Sequence, residues 1–528
     1  MINHIYIMRY VIIPLAGFLA GAPIALFIYR RLTGVLPERV EGVMKRRGAA
    51  VLISFISVYS LYYLTTIFLR YYTHHTQFFD FGIYDWRIWL IQSLGWSDWV
   101  GKIRSSLNGH FQPVLVLYSI LYDVGFSPVV LNLLQALAVI SGALPLYLIA
   151  RRRLKSETLV TAVVLLYFFY PATQFNIAID FHPDNLIIPI MFWSYFLVER
   201  ERYGWLLLTV AAGFLVKEPF MLAYAFFGIY IALEKKRYGY GAGLFIISMA
   251  AFFIVTFFVS SSLQVFQHSE TITGEVAYGY LFAPGGVTGA IRELLRFEKW
   301  RFPLFLLAPL LFLPLLKFWV FLPAVPIIAI LLLSTVSHHQ NVASQYTAAL
   351  IPPIFVSLVP ALQYLHQRLG KRAVFSLISF IFVLVFAFNM AHSPGPLAVA
   401  FWKDDWSHGR WHYKNYLANK NFSDINRAID LIPEDPSVRV VTHSLIYDSR
   451  LAHRYSYGSF PTLWQEADYI LLDNNLDPYV VDSIDGPRYR QVLTALSNDD
   501  RFFLYYKKGG VVLYKRRPGA TRNPDRAR

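Results

Sequence analysis

The sequence predicts a mainly α-helical, polytopic membrane bundle of about twelve spans, carrying a small α/β domain at its C-terminal end. Three observations lead there. Runs of about 15 to 22 apolar residues recur along most of the chain. The short loops between them alternate between strongly basic and acidic or neutral, and from His392 onward the composition turns soluble. Of 528 residues 56% are hydrophobic and only 15% are charged, and the mean hydropathy is +0.43. A soluble chain of this length carries more charge. The aromatic content of 17% suits rings lying at membrane–water interfaces.

The first apolar run, Tyr10–Tyr29, follows only Arg9 and precedes Arg30, Arg31, Arg39, Lys45, Arg46 and Arg47. Without a small-residue cleavage site it reads as a span rather than a signal peptide. The positive-inside rule places the basic segment up to Gly48 in the cytoplasm. Ala49–Leu69 then exits, leaving Tyr71–Gln112 outside, with Arg70 as a lone exception to the rule. Leu131–Ala150 returns to Arg151-Arg152-Arg153, and Leu159–Phe175 exits, placing Asp180–Asn185 outside. Leu186–Val198 returns to Glu199-Arg200-Glu201-Arg202.

Trp205–Val216 and Phe220–Leu233 flank Lys217-Glu218-Pro219 and end at Lys235-Lys236-Arg237. Basic loops at both ends predict a hairpin with its break on the outer side. A single helix kinked at Pro219 is the rival and would reverse the later parity. Gly241–Ser260 exits to a polar loop, Ser261–Lys299. Phe302–Leu316 returns to Lys317, and Phe318–Leu333 leads out to Ser337–Asn341. Thr347–Leu365 returns to Arg368, Lys371 and Arg372, and Val374–Met390 exits, so both termini lie outside. Pro113–Gly125 is too short to span and Ile83–Leu94 carries Trp86 and Trp89, with Trp96 nearby, so both read as interfacial helices.

The organisation predicted is a membrane domain over 1–391 with an external loop at 71–112, an extracytoplasmic α/β domain over 392–517, and a disordered basic tail at 518–528. In the soluble part Phe422–Ile432 and Pro487–Leu496 read as helices, with Ser423-Asp424 near the cap of the first. Val438–Val441 and Tyr469–Leu472 read as strands, and Phe502–Tyr506 and Val511–Tyr514 as a hairpin across Lys507-Lys508-Gly509-Gly510. Cysteine is absent, which excludes disulfides and thiolate metal sites. The net charge of +15 is concentrated in short loops and the tail from Lys515. No basic face is interleaved with exposed aromatics, so the partner it implies is a lipid bilayer and not nucleic acid.

Acidic residues at membrane depth are costly, so three clusters stand out. Asp80 and Asp85 lie in the first external loop, where a carboxylate can take a proton from a hydroxyl, or can cap a helix or simply be solvated. Asp180, His182 and Asp184 can ligate a divalent cation or, with the imidazole protonated, bind phosphate; a capped helix start at Pro183 fits equally. Lys217 and Glu218 can neutralise one another at a kink, or line a polar cavity in which Lys217 binds phosphate and Glu218 orients a hydroxyl or a metal. His338 and His339 form a polar collar with Gln340, Asn341, Gln345 and Tyr346. Arg292, Arg296, Lys299 and Arg301 are cationic candidates for a lipid phosphate. Glycine-rich phosphate loops, nucleophile elbows and paired cysteines are missing from the sequence.

Several of these segments together resemble a known family. They are Phe79-Asp80-Phe81-Gly82-Ile83-Tyr84-Asp85, Gly109-His110-Phe111-Gln112-Pro113, Asp180-Phe181-His182-Pro183-Asp184 and Leu215-Val216-Lys217-Glu218. Gln345-Tyr346-Thr347, Val441-Thr442-His443 and Ala467–Asp473 complete the set. In this order they resemble the archaeal and bacterial membrane-protein family DUF2079, itself similar to the GT-C membrane glycosyltransferases. The resemblance implies a GT-C-like bundle with a catalytic acid in the first external loop and a polyprenyl-phosphate-linked sugar donor. A glycan, lipid or protein would be the acceptor. It makes Asp80 the first choice of base and Asp85 the second, with Glu218 as a further catalytic carboxylate. His110, Asp180, His182, Asp184, Lys217, His338, His339 and Tyr346 would bind substrate. The cofactor it admits is a divalent cation, Mg or Mn, with Asp80, Asp180 and His182 as ligands. Two departures are a four-residue gap between the loop acids, where many GT-C enzymes have closer pairs, and an additional span before the loop. A transporter or flippase of a polyprenyl-linked substrate and a non-catalytic envelope scaffold are the rival readings.

Overall fold

In the computed structural model the described residues are 8–32, 36–76, 81–95, 97–107, 110–259, 275–403, 411–418, 421–443, 446–454, 457–460, 463–473 and 490–522. Asp80, Trp96 and residues 260–274, the first part of the expected polar loop, lie outside them. Helix α1 (Ile13–Phe27) packs against the far C-terminal end of the bundle, and α2 (Leu36–Tyr72) follows. At 37 residues α2 is about 55 Å long and outruns a bilayer's hydrocarbon core of about 30 Å. Its extra first turns carry Glu41 to the start of α8 (Glu157–Phe169). There the carboxylate accepts hydrogen bonds from the Glu157 and Thr158 amides and the Ser156 hydroxyl.

Helices α3 (Ile83–Ser93), α4 (Trp99–Ser106) and α5 (Val114–Asp123) are short and cover one end of the bundle. Helices α6 (Val129–Ser141) and α7 (Ala143–Arg153) run on as one span of 25 residues. Between α8 and α9 (Pro171–Ala178) the chain bends by 53°. Pro171 lacks an amide hydrogen and forces extended backbone on Tyr170, so the helix cannot continue through it.

Helices α10 (Ile187–Glu199), α11 (Tyr203–Val216), α12 (Pro219–Lys235) and α13 (Tyr238–Phe253) follow. Glu199 pairs with both Arg153 and Lys235, Arg237 pairs with Glu201, and Tyr203 stacks on Tyr240. The start of α11 and the end of α12 therefore lie together at a basic end. Lys217 lies beside Asp184 at the opposite end. The chain turns back at Lys217-Glu218, and the hairpin is the form adopted.

Helices α14 (Gly286–Leu295) and α15 (Phe297–Leu307) lead to a reversal at Leu311 and Phe312, which have φ of 53° and 57°. The expected run through Leu316 to a turn at Lys317 is thus corrected: the turn is earlier and carries no glycine. The return path Leu313–Leu333 ends in α16 (Val325–Leu333). The buried Lys299 ammonium donates to the Leu332 carbonyl of α16 and to that of Ser334, and also pairs with Glu293. Arg296 pairs with Glu293 and Glu298, and Arg301 lies over Tyr10. Three of the four cations proposed for a lipid phosphate are therefore engaged within the fold.

Helix α17 (Ile351–His392) has a non-helical break at Gly370, with φ of 80°. Thr347, before its first arm, meets Asn176, whereas Asn389 and Ser393, at the end of its second, meet Phe169 and Gln174. Both outer ends of α17 thus lie beside α8 and α9, so the chain doubles back at Gly370. Six stretches among the described residues are long and apolar enough to cross a membrane, or seven if the bent pair counts as one. This is fewer than the about twelve expected from apolar runs alone. Helices α10, α11 and α12 have 13, 14 and 17 residues, and the two arms of α17 count once.

The C-terminal part holds helix α18 (Phe422–Asp430), a helical stretch at 490–497 and a sheet. Its strands are β1 (Val440–His443), β2 (Tyr457–Phe460), β3 (Tyr469–Asp473), β4 (Phe502–Lys508) and β5 (Val511–Arg516), in the order β2-β1-β3-β5-β4. Strand β1 pairs in parallel with β2 and β3, and β5 is antiparallel to β3 and β4. The tight β4–β5 turn uses Gly509 and Gly510, both at positive φ. Strand β2 has no counterpart in the sequence expectation. The tail is partly ordered against the domain, since Arg522 pairs with Asp468. The apolar core of this sheet is shared with α3 and α5: Phe81, Tyr84, Ile88 and Leu115 cluster with Ile425, Tyr447, Leu471 and Leu513.

Helices α12 and α13 approach closely at Gly228 and Gly241, where a Cβ on Gly228 would lie 2.6 Å from the Gly241 carbonyl oxygen. Gly228→Leu should overpack this contact by about 1–3 kcal/mol. The expected outcome is a detergent-solubilised protein whose unfolding midpoint falls by several degrees, with an unchanged midpoint refuting the tight contact.

Candidate functional site

The end of the bundle opposite Glu199 gathers segments far apart in sequence, and three of them carry its charged pairs. The first is the turn before α5, which presents His110, Phe111 and Gln112. The second is the turn Pro183–Leu186 between α9 and α10, and the third is the break between α11 and α12. The arms of that hairpin have 14 and 17 residues, about 21 and 26 Å of helix. Both fall short of a hydrocarbon core of about 30 Å, so the tip lies below membrane-surface level if the basic end sits among headgroups. Pro219 starts α12 at a position where a missing amide hydrogen is harmless, and Lys217 is fully extended before it.

Lys217 Nζ donates to Asp184 Oδ1 at 2.9 Å, and both side chains are almost fully buried. The ammonium also lies 5.7 Å from the Tyr346 ring centroid. Tyr346 packs on His339 at 4.5 Å, with the exposed His338 next to it. His339 Nδ1 meets the Ser334 hydroxyl at 2.7 Å. One residue after Lys217, Glu218 Oε1 lies 2.8 Å from His110 Nδ1, and Oε2 accepts the Phe111 amide at 3.1 Å. The structure thus joins His110, Asp184, Lys217, Glu218, His338, His339 and Tyr346 into one continuous set.

Asp180 and His182 border this set. Asp180 is buried against Arg70 at 3.4 Å. Arg70 also donates to the Ala178 and His75 carbonyls and lies over Trp411. That explains the exception to the charge rule: the guanidinium is consumed inside the protein. The His182 Nδ1 meets the Asp180 carbonyl, and its amide donates to Gln135. Its ring lies 5.4 Å from that of Tyr84.

Asp85 is directed elsewhere. It is fully buried and accepts from the hydroxyls of Tyr122 and Tyr447, the latter at 2.6 Å, and lies 2.9 Å from His453 Nε2. Trp86 donates to the Arg454 carbonyl, and Trp89 stacks on His453. Asp85 therefore fastens α3 to the C-terminal domain, away from the Lys217–Glu218 set. Asp80 lies outside the described residues.

Sequence reasoning passed over Tyr84, Arg87 and Gln112. Arg87 donates to Gln112 and the Ser106 carbonyl, and Gln112 donates to the Tyr84 hydroxyl. The signal was present, because Tyr84, Arg87, Ile88 and Ile91 share one face of α3 at helical spacing.

The electrostatics follow from burial opposed by partners. Burial alone would raise the Asp184 carboxyl, but Lys217, with His182, holds it below the ordinary range. Glu218 is likewise raised by burial and lowered further by His110 and Lys217, so it stays ionised. Burial would lower Lys217, yet Asp184 raises it well above its usual value. His339 is pushed down to about 3 by burial, with the neighbouring His338 and Lys217 adding to it, and is neutral. Among the described residues no three His, Asp or Glu side chains group as metal ligands. The described part supplies an ammonium, a guanidinium and a carboxylate–imidazole pair. Such a set suits an anionic group and a proton transfer.

Removing one partner of the buried Lys217–Asp184 pair should destabilise by about 3–5 kcal/mol. Lys217→Met and Asp184→Asn should each lower the unfolding midpoint, and the double variant should recover part of the loss. Full additivity of the two would contradict the pairing. Because the Asp184 carboxyl is lowered in the folded state, its contribution is complete above the usual carboxylate range. It is lost as pH falls through about 4 and below. Midpoints measured from pH 7 to pH 3.5 should therefore drop at the acid end, and less so in Asp184→Asn. Asp85→Asn should loosen the C-terminal domain and speed proteolysis between 393 and 460, whereas an unchanged cleavage pattern would refute the fastening role.

A family model described as "Predicted membrane protein (DUF2079)" matches residues 70–513. No curated protein matches the chain. Among solved structures, ArnT from Cupriavidus metallidurans in the apo state is similar at a TM-score of 0.48 and 12% identity, covering 88% of this chain and 98% of that one. The same protein bound to undecaprenyl phosphate gives 0.46 and 11%, covering 87% and 98%. The family match takes in every element that builds the site, from Arg70 through the last strands, and the chain belongs to the DUF2079 family of membrane proteins.

Proposed function

We propose that this protein is a GT-C-type membrane glycosyltransferase. It takes a sugar from a polyprenyl-phosphate-linked donor and delivers it to a glycan, lipid or protein acceptor. In this reading the bundle crosses the cell membrane about twelve times, with the site and the C-terminal domain at the extracytoplasmic face. The observation that carries it is the meeting of Lys217–Asp184 and Glu218–His110 at one end of an apolar bundle. Buried ionisable groups in a membrane protein mark substrate paths, and these are drawn from three segments that have no packing reason to be charged.

The donor's phosphate would face Lys217 and Arg87, whose positive charges stabilise the departing phosphate oxygen. Tyr84, Tyr346 and His339 supply the aromatic and polar walls that suit a sugar ring. Asp80 is the loop carboxylate that the sequence resemblance assigns to the acceptor's proton. A Mg or Mn ion held by Asp80, Asp180 and His182 would supply further neutralisation of phosphate charge. Asp180 fits such a role only after release from Arg70, and His182 only through Nε2. A single displacement from a β-linked monophosphate inverts the anomeric centre and needs no second nucleophilic carboxylate.

Purified protein in liposomes, given polyprenyl-phosphate-linked radiolabelled sugars and a membrane glycolipid extract, should release polyprenyl phosphate and label the acceptor. Lys217→Met should lower that transfer about 100-fold. Movement of the labelled lipid across the bilayer with the sugar–phosphate bond intact would refute the enzyme and leave a transporter.

A further inference from the structure

Within the proposed transfer reaction, we infer that His110, in place of the Asp80 that the resemblance assigns, is the group that deprotonates the acceptor hydroxyl, and that Glu218 is its positioning residue. The inference rests on the transferase reading and names the base within it. The carboxylates singled out by sequence and described in the structure are all engaged. Asp85 is sealed under two tyrosines and His453, Asp180 faces Arg70, and Asp184 is bound to Lys217. Glu218 uses both oxygens, one on His110 Nδ1 and one on the Phe111 amide.

That double contact fixes the imidazole. The Phe111 amide can only donate, so it takes one oxygen of an ionised Glu218, and the other oxygen needs a donor. His110 Nδ1 therefore carries a hydrogen, and in the neutral imidazole the lone pair is on Nε2. Among the described residues Nε2 makes no hydrogen bond, and the side chain is 27% exposed while its partner is 14% exposed. Carboxylate, imidazole and open nitrogen are thus in sequence from the interior outward. This is the arrangement in which a carboxylate orients an imidazole base.

In the step inferred, the acceptor O–H gives its proton to Nε2 as its oxygen bonds to the anomeric carbon. The bond from that carbon to the phosphate oxygen breaks, and its electron pair leaves with the polyprenyl phosphate. The imidazolium then returns the proton to solvent, and no oxidant or reductant is involved. Glu218 stabilises the imidazolium without itself taking the proton.

The test uses the full-length protein in liposomes with the donor named above, and compares wild type with His110→Ala, Glu218→Gln, Glu218→Asp and Asp80→Asn. Size-exclusion profiles and unfolding midpoints establish that each variant is folded. His110→Ala should lose about 100-fold or more in kcat with donor KM within about threefold, and free imidazole should restore at least about tenfold. Glu218→Gln should lower kcat in the same way, and Glu218→Asp should regain part of it. Wild-type turnover in His110→Ala, or a loss that imidazole does not touch while Asp80→Asn abolishes transfer, overturns the inference and leaves the transferase standing. Absence of transfer in the wild type overturns the transferase and the inference together.

Discussion

One buried ammonium organises the functional end of this protein. Lys217 stands almost fully buried at the break of a hairpin whose arms are shorter than a bilayer's hydrocarbon core, so protein groups rather than bulk water meet its charge. Asp184 takes that role from the preceding turn, and Tyr346 adds its ring face from a third segment. Because an unpaired charge at this depth is far more costly than a paired one, the three segments are not free to drift apart. Glu218 and His110 inherit their placement from this arrangement, being one residue along the same backbone and one contact further out.

A second constraint fixes the cap over that end. Helix α3 presents two faces with different duties. Tyr84 and Arg87 look toward His182 and Gln112, and Asp85 looks toward the C-terminal domain. Adjacent residues on one short helix thus tie the domain to the wall of the site. The shared core of Tyr84, Ile88, Tyr447 and Leu471 makes the sheet a structural part of the cap. Its hydrogen-bonded strands supply rigidity to a helix of 11 residues that has little of its own.

Hydropathy and charge alternation made the helical class, most helix positions and the Lys217 hairpin legible, because each follows from local composition. Strand β3 and the Gly509-Gly510 turn were legible for the same reason. The reversal at Leu311-Phe312 was not, since neither residue favours positive φ and tertiary packing of the flanking arms selects it. Strand β2 was missed because Tyr457–Phe460 includes Gly458 and Ser459 and owes its conformation to parallel pairing with β1. In the site, the residue types were visible but not their pairing. His110 and Glu218 are 108 positions apart, and Asp85 resembled Asp80 until Tyr447 and His453 were seen beside it.

The joint core of α3, α5 and the sheet has a consequence for biosynthesis. The ribosome releases α3–α5 early, whereas β1 emerges roughly 320 residues later, about 15 seconds to a minute at ordinary elongation rates. Throughout that interval Phe81, Ile88 and Leu115 lack the neighbours that will cover them, and the acyl chains just beneath the lipid headgroups are the nearest apolar refuge. Insertion machinery or the membrane surface itself must shelter this half-built cap until the last hundred residues arrive to close it.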